Sequence, residues 1–174
     1  MSSSAAVLCV LLPAAAAAFG MVVGRSRSWA RDWAVAGTAG ALVAAVVELV
    51  GVLRDGPVHS VRFLGTLDTG VTVLDLDLRA DTLSATVAVA VALVAACVQI
   101  YSSAYLDGEG TPEAPTRYRP YAATVSMFTA AMMVVVHADD LLLLVIGWEV
   151  MGLSSYLLVG HHSERPAARA AAVK

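Results

Sequence analysis

The apolar residues of this chain are gathered into five long runs, and this feature constrains the fold more than any other. A helix that crosses the hydrocarbon core of a bilayer needs about 20 predominantly apolar residues. Only 14% of the 174 residues are charged and the mean hydropathy is +0.75, which disfavours a soluble domain. The pattern predicts an all-α polytopic membrane protein forming one membrane domain over residues 1–174. The five predicted spans are residues 5–24, 34–53, 83–106, 121–137 and 141–160.

The first run begins almost at the N-terminus, where a secretion signal would lie. A signal peptide carries basic residues ahead of its apolar core, whereas no Lys or Arg precedes Arg25. Residues 5–24 are also long enough to cross a bilayer. We therefore expect this run, with Pro13 inside it, to be kept as the first membrane helix.

The connection between the second and third runs has the pattern of a β-hairpin. Leucine alternates with aspartate in residues 74–78, which is the two-residue period of a half-buried strand. The turn-forming sequence Asp-Thr-Gly at 68–70 separates this segment from an earlier one. We expect a small extracytoplasmic hairpin over residues 58–78.

The basic residues in the connections predict the orientation of the chain. Eight of them lie in residues 25–33, in the irregular Pro- and Gly-rich linker predicted at 107–120, and in the tail after residue 160. Three lie in the hairpin connection. Because Lys and Arg concentrate in cytoplasmic loops, the N-terminus is expected outside and the C-terminus in the cytoplasm of a bacterial cell.

Glu149 is a charged residue in the middle of the fifth run. As a helix, this run places the carboxylate about 12 Å from one end and 16 Å from the other, close to the membrane midplane. A charge there costs at least about 2.5–3.5 kcal/mol, so Glu149 is a candidate functional residue. Gly152, Tyr156 and Gly160 share its helix face, and small residues let another helix approach. Two interpretations stay open, a protonatable relay supported by the Tyr156 hydroxyl and a static ion pair between helices.

Other polar residues are expected at the membrane surface. His137 and the residues 138–140 should form a surface turn between the fourth and fifth runs. Glu48 lies about five residues from the end of the second run, so we expect it to be solvated at the interface. His161 and His162 end the fifth run and are expected to be solvated, with proton entry at His161 as the functional alternative.

Several kinds of chemistry have no sequence support. Cys9 and Cys97 lie inside apolar runs and are interpreted as small buried hydrophobes, neither a disulfide nor a metal pair. The sequence has no Cys-x-x-Cys motif, nucleotide-binding glycine fingerprint or hydrolytic triad. It has no basic block, so nucleic acid is not an expected partner. A bound metal or redox cofactor is not expected either.

The fifth run resembles a known family through the sequence Trp-Glu-Val-Met-Gly-Leu-Ser-Ser-Tyr-Leu-Leu-Val-Gly at 148–160. It is similar to the fifth helix of the antiporter-like, proton-translocating subunit L of bacterial NADH-quinone oxidoreductase (respiratory complex I). The large subunit of Mrp antiporters shares the pattern. Residues 81–84, 100–106 and 117–128 resemble further parts of the family in the same order. Asp140 departs from the pattern, since the family usually has Asn at this surface turn.

The resemblance implies a role for individual residues. The family glutamate that matches Glu149 is paired with a lysine on the seventh helix, and Lys174 matches a lysine expected on the cytoplasmic side. The chain would then be the N-terminal part of a longer subunit, with about two-thirds of a typical subunit missing. NADH, FMN, iron–sulfur clusters and quinone would bind in partner subunits of the complex. The segment would have no redox centre and would be inactive alone.

Two alternatives to complex I stay open at the level of the sequence. An Mrp-type cation/proton antiporter or a membrane-bound hydrogenase subunit would share the same fifth helix. A non-catalytic, truncated membrane scaffold would use the same helices only for packing.

Overall fold

The protein is described here by a computed structural model, which covers residues 2–22, 27–68, 70, 73–105 and 114–162. The predictions for Lys174 and for the basic tail fall outside these residues, as does the side chain of His162. Within the described part, five helices are long and apolar enough to cross a membrane, which confirms the predicted fold class. They are α1 (Ser2–Val22), α2 (Arg27–Asp55), α3 (Thr82–Tyr105), α4 (Ala114–His137) and α5 (Leu141–Val159).

Helix α4 begins earlier than the sequence pattern indicated. Residues 107–120 were expected to be an irregular linker, but the helix starts at Ala114 and contains Pro120. Proline removes one backbone donor without ending a membrane helix when neighbouring groups satisfy the freed carbonyl. The prolines near the start of α4 therefore do not end the helix, and the linker prediction was wrong for residues 114–120.

The helices pack through small residues. Alanines supply most of the buried apolar positions on α1, α2 and α3. At Gly37 on α2, an added Cβ would lie 2.5 Å from the Cβ of Ala16 on α1. Lipid tails are as apolar as side chains, so helices associate in a bilayer through close van der Waals contact, which small residues permit.

A two-stranded antiparallel hairpin joins α2 to α3, as predicted. Strand β1 covers Val58–Asp68 and β2 covers Val73–Ala80. The strand register shifts twice along β1, and the second shift lies between Arg62 and Gly65. Gly65 has a φ of +85°, which glycine adopts without strain. Leu78 on β2 is fully buried, as the alternating pattern requires of an inward-facing residue.

The hairpin is also tied to the turn between α4 and α5. Leu78 forms an isolated antiparallel bridge with Ala138, and the backbone N–H of Asp139 donates to the carbonyl of Asp77 at 3.2 Å. The hairpin, the end of α4 and the start of α5 therefore meet at one end of the helices, which we call the hairpin end.

Candidate functional site

Helix α5 starts at a well-formed N-cap. Oδ1 of Asp140 accepts a hydrogen bond from the N–H of Leu143 at 2.8 Å, satisfying one of the free donors of the first turn. Asn and Asp serve equally well at this position, so the Asp140 departure is compatible with the same turn. The cap fixes the start of α5 and therefore the position of Glu149 along the helix bundle.

One face of α5 packs against α4. Its buried residues are Leu143, Gly147 and Ser154. At Gly147 an added Cβ would lie 2.9 Å from Cγ2 of Val135, so the two helices approach closely there. At 100° per residue, the three buried positions fall within about 40° of one another, which defines a single contact face.

Glu149 lies on the opposite side of α5. Viewed along the axis of α5, Glu149 lies roughly 140° around the helix from the centre of the α4 contact face. Its side chain is exposed. An added Cβ at Gly152, on the same side, would meet no atom within 4 Å. In the described part of the chain, no hydrogen bond or salt bridge involves Glu149. The small-residue face predicted from the sequence therefore exists, and the described helices leave it open.

The other predicted relay residues are not gathered around Glu149. Tyr156 shares its face and is 53% exposed. His161 packs against Tyr121 on α4, with ring centroids 5.2 Å apart. The described residues give Glu149 and Tyr156 a common side of α5 and place His161 at the opposite helix end from the hairpin.

A second ionisable cluster is buried between α1, α2 and α4. Glu48 on α2 is 0% exposed, and both of its carboxyl oxygens lie 3.1 Å from Nε2 of His137, which is also 0% exposed. Nδ1 of His137 lies 2.7 Å from the carbonyl oxygen of Met133. The thiol of Cys9 donates to Oε2 of Glu48 at 3.5 Å. These three residues, Cys9, Glu48 and His137, are called the α2–α4 cluster below.

The α2–α4 cluster corrects two expectations and adds a contact to a third. Glu48 was expected to be solvated and His137 to lie at the surface, but each is buried because it hydrogen-bonds the other. Cys9 is buried as predicted, although its thiol contacts a carboxyl group rather than only apolar atoms.

Cys97 was expected to be buried and is exposed on α3, because no described element covers that side of the helix.

A further buried polar contact, missed in the sequence, links α3 to α4. The side-chain amide of Gln99 donates to the carbonyl of Ala122 at 2.9 Å and to the hydroxyl oxygen of Ser126 at 3.0 Å. The sequence carries only one signal for this contact, which is that Gln99 is a polar residue in an apolar run.

Among the described residues, no group of three or more His, Cys, Asp or Glu side chains could hold a metal ion.

Comparisons with known proteins agree on one family. Residues 67–114 match the family model described as NADH-ubiquinone oxidoreductase (complex I), chain 5 N-terminus. NADH-quinone oxidoreductase subunit L of Mycobacterium tuberculosis is 34% identical over 172 residues, 96% of this chain and 26% of the relative. The Escherichia coli subunit L is 39% identical over 101 residues, 58% of this chain and 16% of the relative. The chain 5 protein of Metridium senile is 37% identical over 108 residues, 62% of this chain and 17% of the relative. The chain thus spans about a quarter or less of the length of these relatives.

Proposed function

We infer a function from the family to which this chain belongs, subunit L and chain 5 of NADH-quinone oxidoreductase, whose N-terminal region it matches. The proposed function is a contribution to proton translocation in a respiratory membrane complex. The general role is that of a membrane-spanning component of an oxidoreductase complex. Within that complex, the proposed role is a proton relay at Glu149 that is coupled to electron transfer from NADH to quinone.

The open face around Glu149 is the observation that supports this role. An ionised carboxylate that faces lipid near the midplane costs several kcal/mol, and intramembrane carboxylates almost always face protein or a hydrated cavity. The described helices cover the opposite face of α5 and leave this one unpaired. Further protein or a hydrated cavity is therefore expected on the Glu149 side, and Gly152 gives a further helix room to approach.

We propose that this further helix carries a lysine. The resemblance of residues 148–160 to the family's fifth helix implies such a partner on the seventh helix. A cation within about 4–6 Å would favour the carboxylate, and its withdrawal would favour the acid, so Glu149 could take up and release a proton. A static ion pair would hold the two helices together without any change of protonation.

The remaining parts of the proposal concern orientation and partners. The distribution of basic residues favours a hairpin end outside the cell. The tail with Lys174, and the end of the helices that carries His161, would then lie on the cytoplasmic side. NADH, FMN, iron–sulfur clusters and quinone are assigned to partner subunits, as the resemblance to subunit L implies. Other membrane-arm subunits would contact the exposed helix faces. The relatives named above are all complex I proteins, which favours this role over an Mrp antiporter, a hydrogenase or a scaffold.

The test is Glu149→Gln in the complete subunit within its complex. Glutamine keeps the shape of the side chain and cannot release a proton, so proton pumping per NADH oxidised should fall severalfold while the complex still assembles. Proton uptake by membrane vesicles and NADH oxidation would be measured together. Ser155→Ala, which removes a polar group from another face of α5, is the matched control and should leave the ratio unchanged.

The possible outcomes separate the alternatives. Normal pumping in a normally assembled Glu149→Gln complex would sink the relay assignment. Loss of assembly, with an unchanged pumping ratio in the complexes that do form, would support a static ion pair. Sodium movement without NADH dependence would favour the antiporter alternative.

A further inference from the structure

The α2–α4 cluster lies in a different part of the molecule from Glu149. His137 is the last residue of α4, and Glu48 lies seven residues before the end of α2 at Asp55, about 10 Å from that end. Both side chains belong to the hairpin end, and neither role proposed for Glu149 uses them. An ion pair or an acid–base pair with no exposure is costly to bury unless its hydrogen bonds are complete.

The hydrogen bonds of His137 fix one of its two ring protons. A carbonyl oxygen can only accept, so the 2.7 Å contact between Nδ1 and the Met133 carbonyl requires a hydrogen on Nδ1. With that hydrogen in place, a neutral ring has only a lone pair at Nε2. An ionised carboxylate likewise only accepts. The 3.1 Å contacts between Nε2 and the Glu48 oxygens would then join two acceptors unless a second hydrogen lies between them.

We propose that Glu48 and His137 form a proton-binding site that holds a single proton between α2 and α4. The proton has two positions, on Nε2 beside a carboxylate or on Glu48 beside a neutral ring. In both positions the pair as a whole is neutral. Loss of the proton would leave a buried net negative charge, and gain of another would leave a buried unpaired cation, both of which are strongly unfavourable.

Cys9 influences where the proton lies. Its thiol donates to Oε2 of Glu48, and a donor to a carboxyl oxygen favours the ionised form. A thiol is a weak donor, however, so this preference is small in the native chain. A stronger donor at the same position would move the proton towards His137, and an apolar residue would move it towards Glu48.

Charged groups near the cluster lie towards the hairpin end. Asp81, at the start of α3, forms a salt bridge with Arg79 at 3.2 Å. A cleft of about 310 Å³ is lined by these two residues and by Val136 and Ala138, the neighbours of His137 on either side. This cleft brings polar groups to the end of α4, while the ring itself stays fully buried.

The site can be tested by locating the proton directly. The full chain would be placed in lipid nanodiscs with ¹⁵N-labelled histidine and ¹³C-labelled glutamate side chains, and studied by NMR at neutral pH. The His137 signals would be assigned by their loss in His137→Asn. The expected result is a protonated Nδ1 together with one further proton, seen either as an N–H coupling at Nε2 or as a carboxylic-acid shift at Glu48.

Three variants make the outcome sharper. Glu48→Gln should leave a neutral ring whose Nε2 accepts from the glutamine amide, so the Nε2 N–H coupling should be absent. Cys9→Ser should shift the Glu48 resonance towards the carboxylate value, and Cys9→Ala should shift it the opposite way. Because both cysteine variants are nearly the size of the original residue, they test the site even if Glu48→Gln does not fold.

Two results would overturn the proposal. One is a wild-type His137 with an unprotonated Nε2 facing an ionised Glu48, which would mean that the site holds no proton. The other is a pair of cysteine variants that leave the Glu48 and His137 resonances where they are in the native chain.

Discussion

Gly37→Ala tests how closely α1 and α2 approach each other. The new Cβ would lie 2.5 Å from the Cβ of Ala16 and 3.2 Å from the carbonyl oxygen of Leu12. Carbon atoms in favourable contact are about 3.5–4.0 Å apart, so the helices must separate by about 1.0–1.5 Å. Neither the Ala16 Cβ nor a backbone carbonyl can rotate away. The strain therefore has to be taken up by the backbone.

The expected loss of stability combines two opposing effects. Overpacking a well-packed site costs about 1–3 kcal/mol, and the fixed atoms at Gly37 point to the upper part of that range. Replacing glycine by alanine inside a helix returns about 0.8–1.0 kcal/mol. The net decrease in the free energy of unfolding is therefore about 1–2 kcal/mol. It would be measured from reversible unfolding in mixed detergent micelles, followed by circular dichroism.

Gly40→Ala is a matched control on the same helix and against the same partner. Its new Cβ would meet only the side chain of Leu12, 3.1 Å from Cδ1, and that tip can move. A displaced rotamer costs about 0.5–1.5 kcal/mol, which the helix propensity of alanine nearly offsets. The two variants should therefore differ by about 1–2 kcal/mol. Equal stabilities, or a Gly40→Ala protein less stable than Gly37→Ala, would refute the proposed packing of α1 on α2.

Two further predictions concern α5 and α3. Gly147→Ala should lower the free energy of unfolding of the chain by about 1 kcal/mol, because the new Cβ meets Cγ1 of Val134 at 3.0 Å, whereas Gly152→Ala should be neutral or slightly stabilising. The reverse order in the same unfolding assay would contradict the described contact face of α5. The backbone N–H of Ser84 holds the pKa of Asp81 below its usual range. A lowered pKa contributes stability above the usual value near 3.9 that is lost as the pH falls through the lower one, so the melting temperature should drop below about pH 4. Asp81→Asn should show a smaller acid-dependent drop, and an identical pH profile in both proteins would contradict the role of the carboxylate.

The membrane helices and the hairpin could be predicted because their signals are local. Five runs of apolar residues of bilayer length specify five spans without any knowledge of their neighbours. The alternation of leucine and aspartate in residues 74–78 specifies a strand in the same way. The start of α4 at Ala114 could not be predicted, because prolines usually indicate an irregular segment and the contacts that allow them inside a helix are not local.

The α2–α4 cluster could not be predicted because its two main residues are 89 positions apart. Counting residues to the end of the second run placed Glu48 within reach of the interface, which is a fair estimate for an isolated helix. A histidine at the end of α4 offers a hydrogen bond inside the protein instead, and a paired carboxyl group need not reach water. The one available signal was the presence of an acid and a base in apolar runs at the same end of the bundle.

For Glu149, the helix face could be predicted and its surroundings could not. The spacing of Gly152 and Tyr156 puts them on the same side of the helix as Glu149, since helix periodicity is a local property. What contacts that side depends on residues that the described helices do not supply. The lysine partner and the relay role therefore stay predictions.

The pairing of Glu48 with His137 has a consequence for biosynthesis. A ribosome adds about 5–20 residues per second, so the 89 residues between them take roughly 4–18 s to make. Throughout that interval the imidazole that will contact Glu48 does not yet exist. An ionised carboxylate is costly in the bilayer, and the carboxylic acid is the less costly form. Glu48 therefore enters the nascent membrane domain without the partner that later completes its hydrogen bonds, and the pair can form only once His137 has been made.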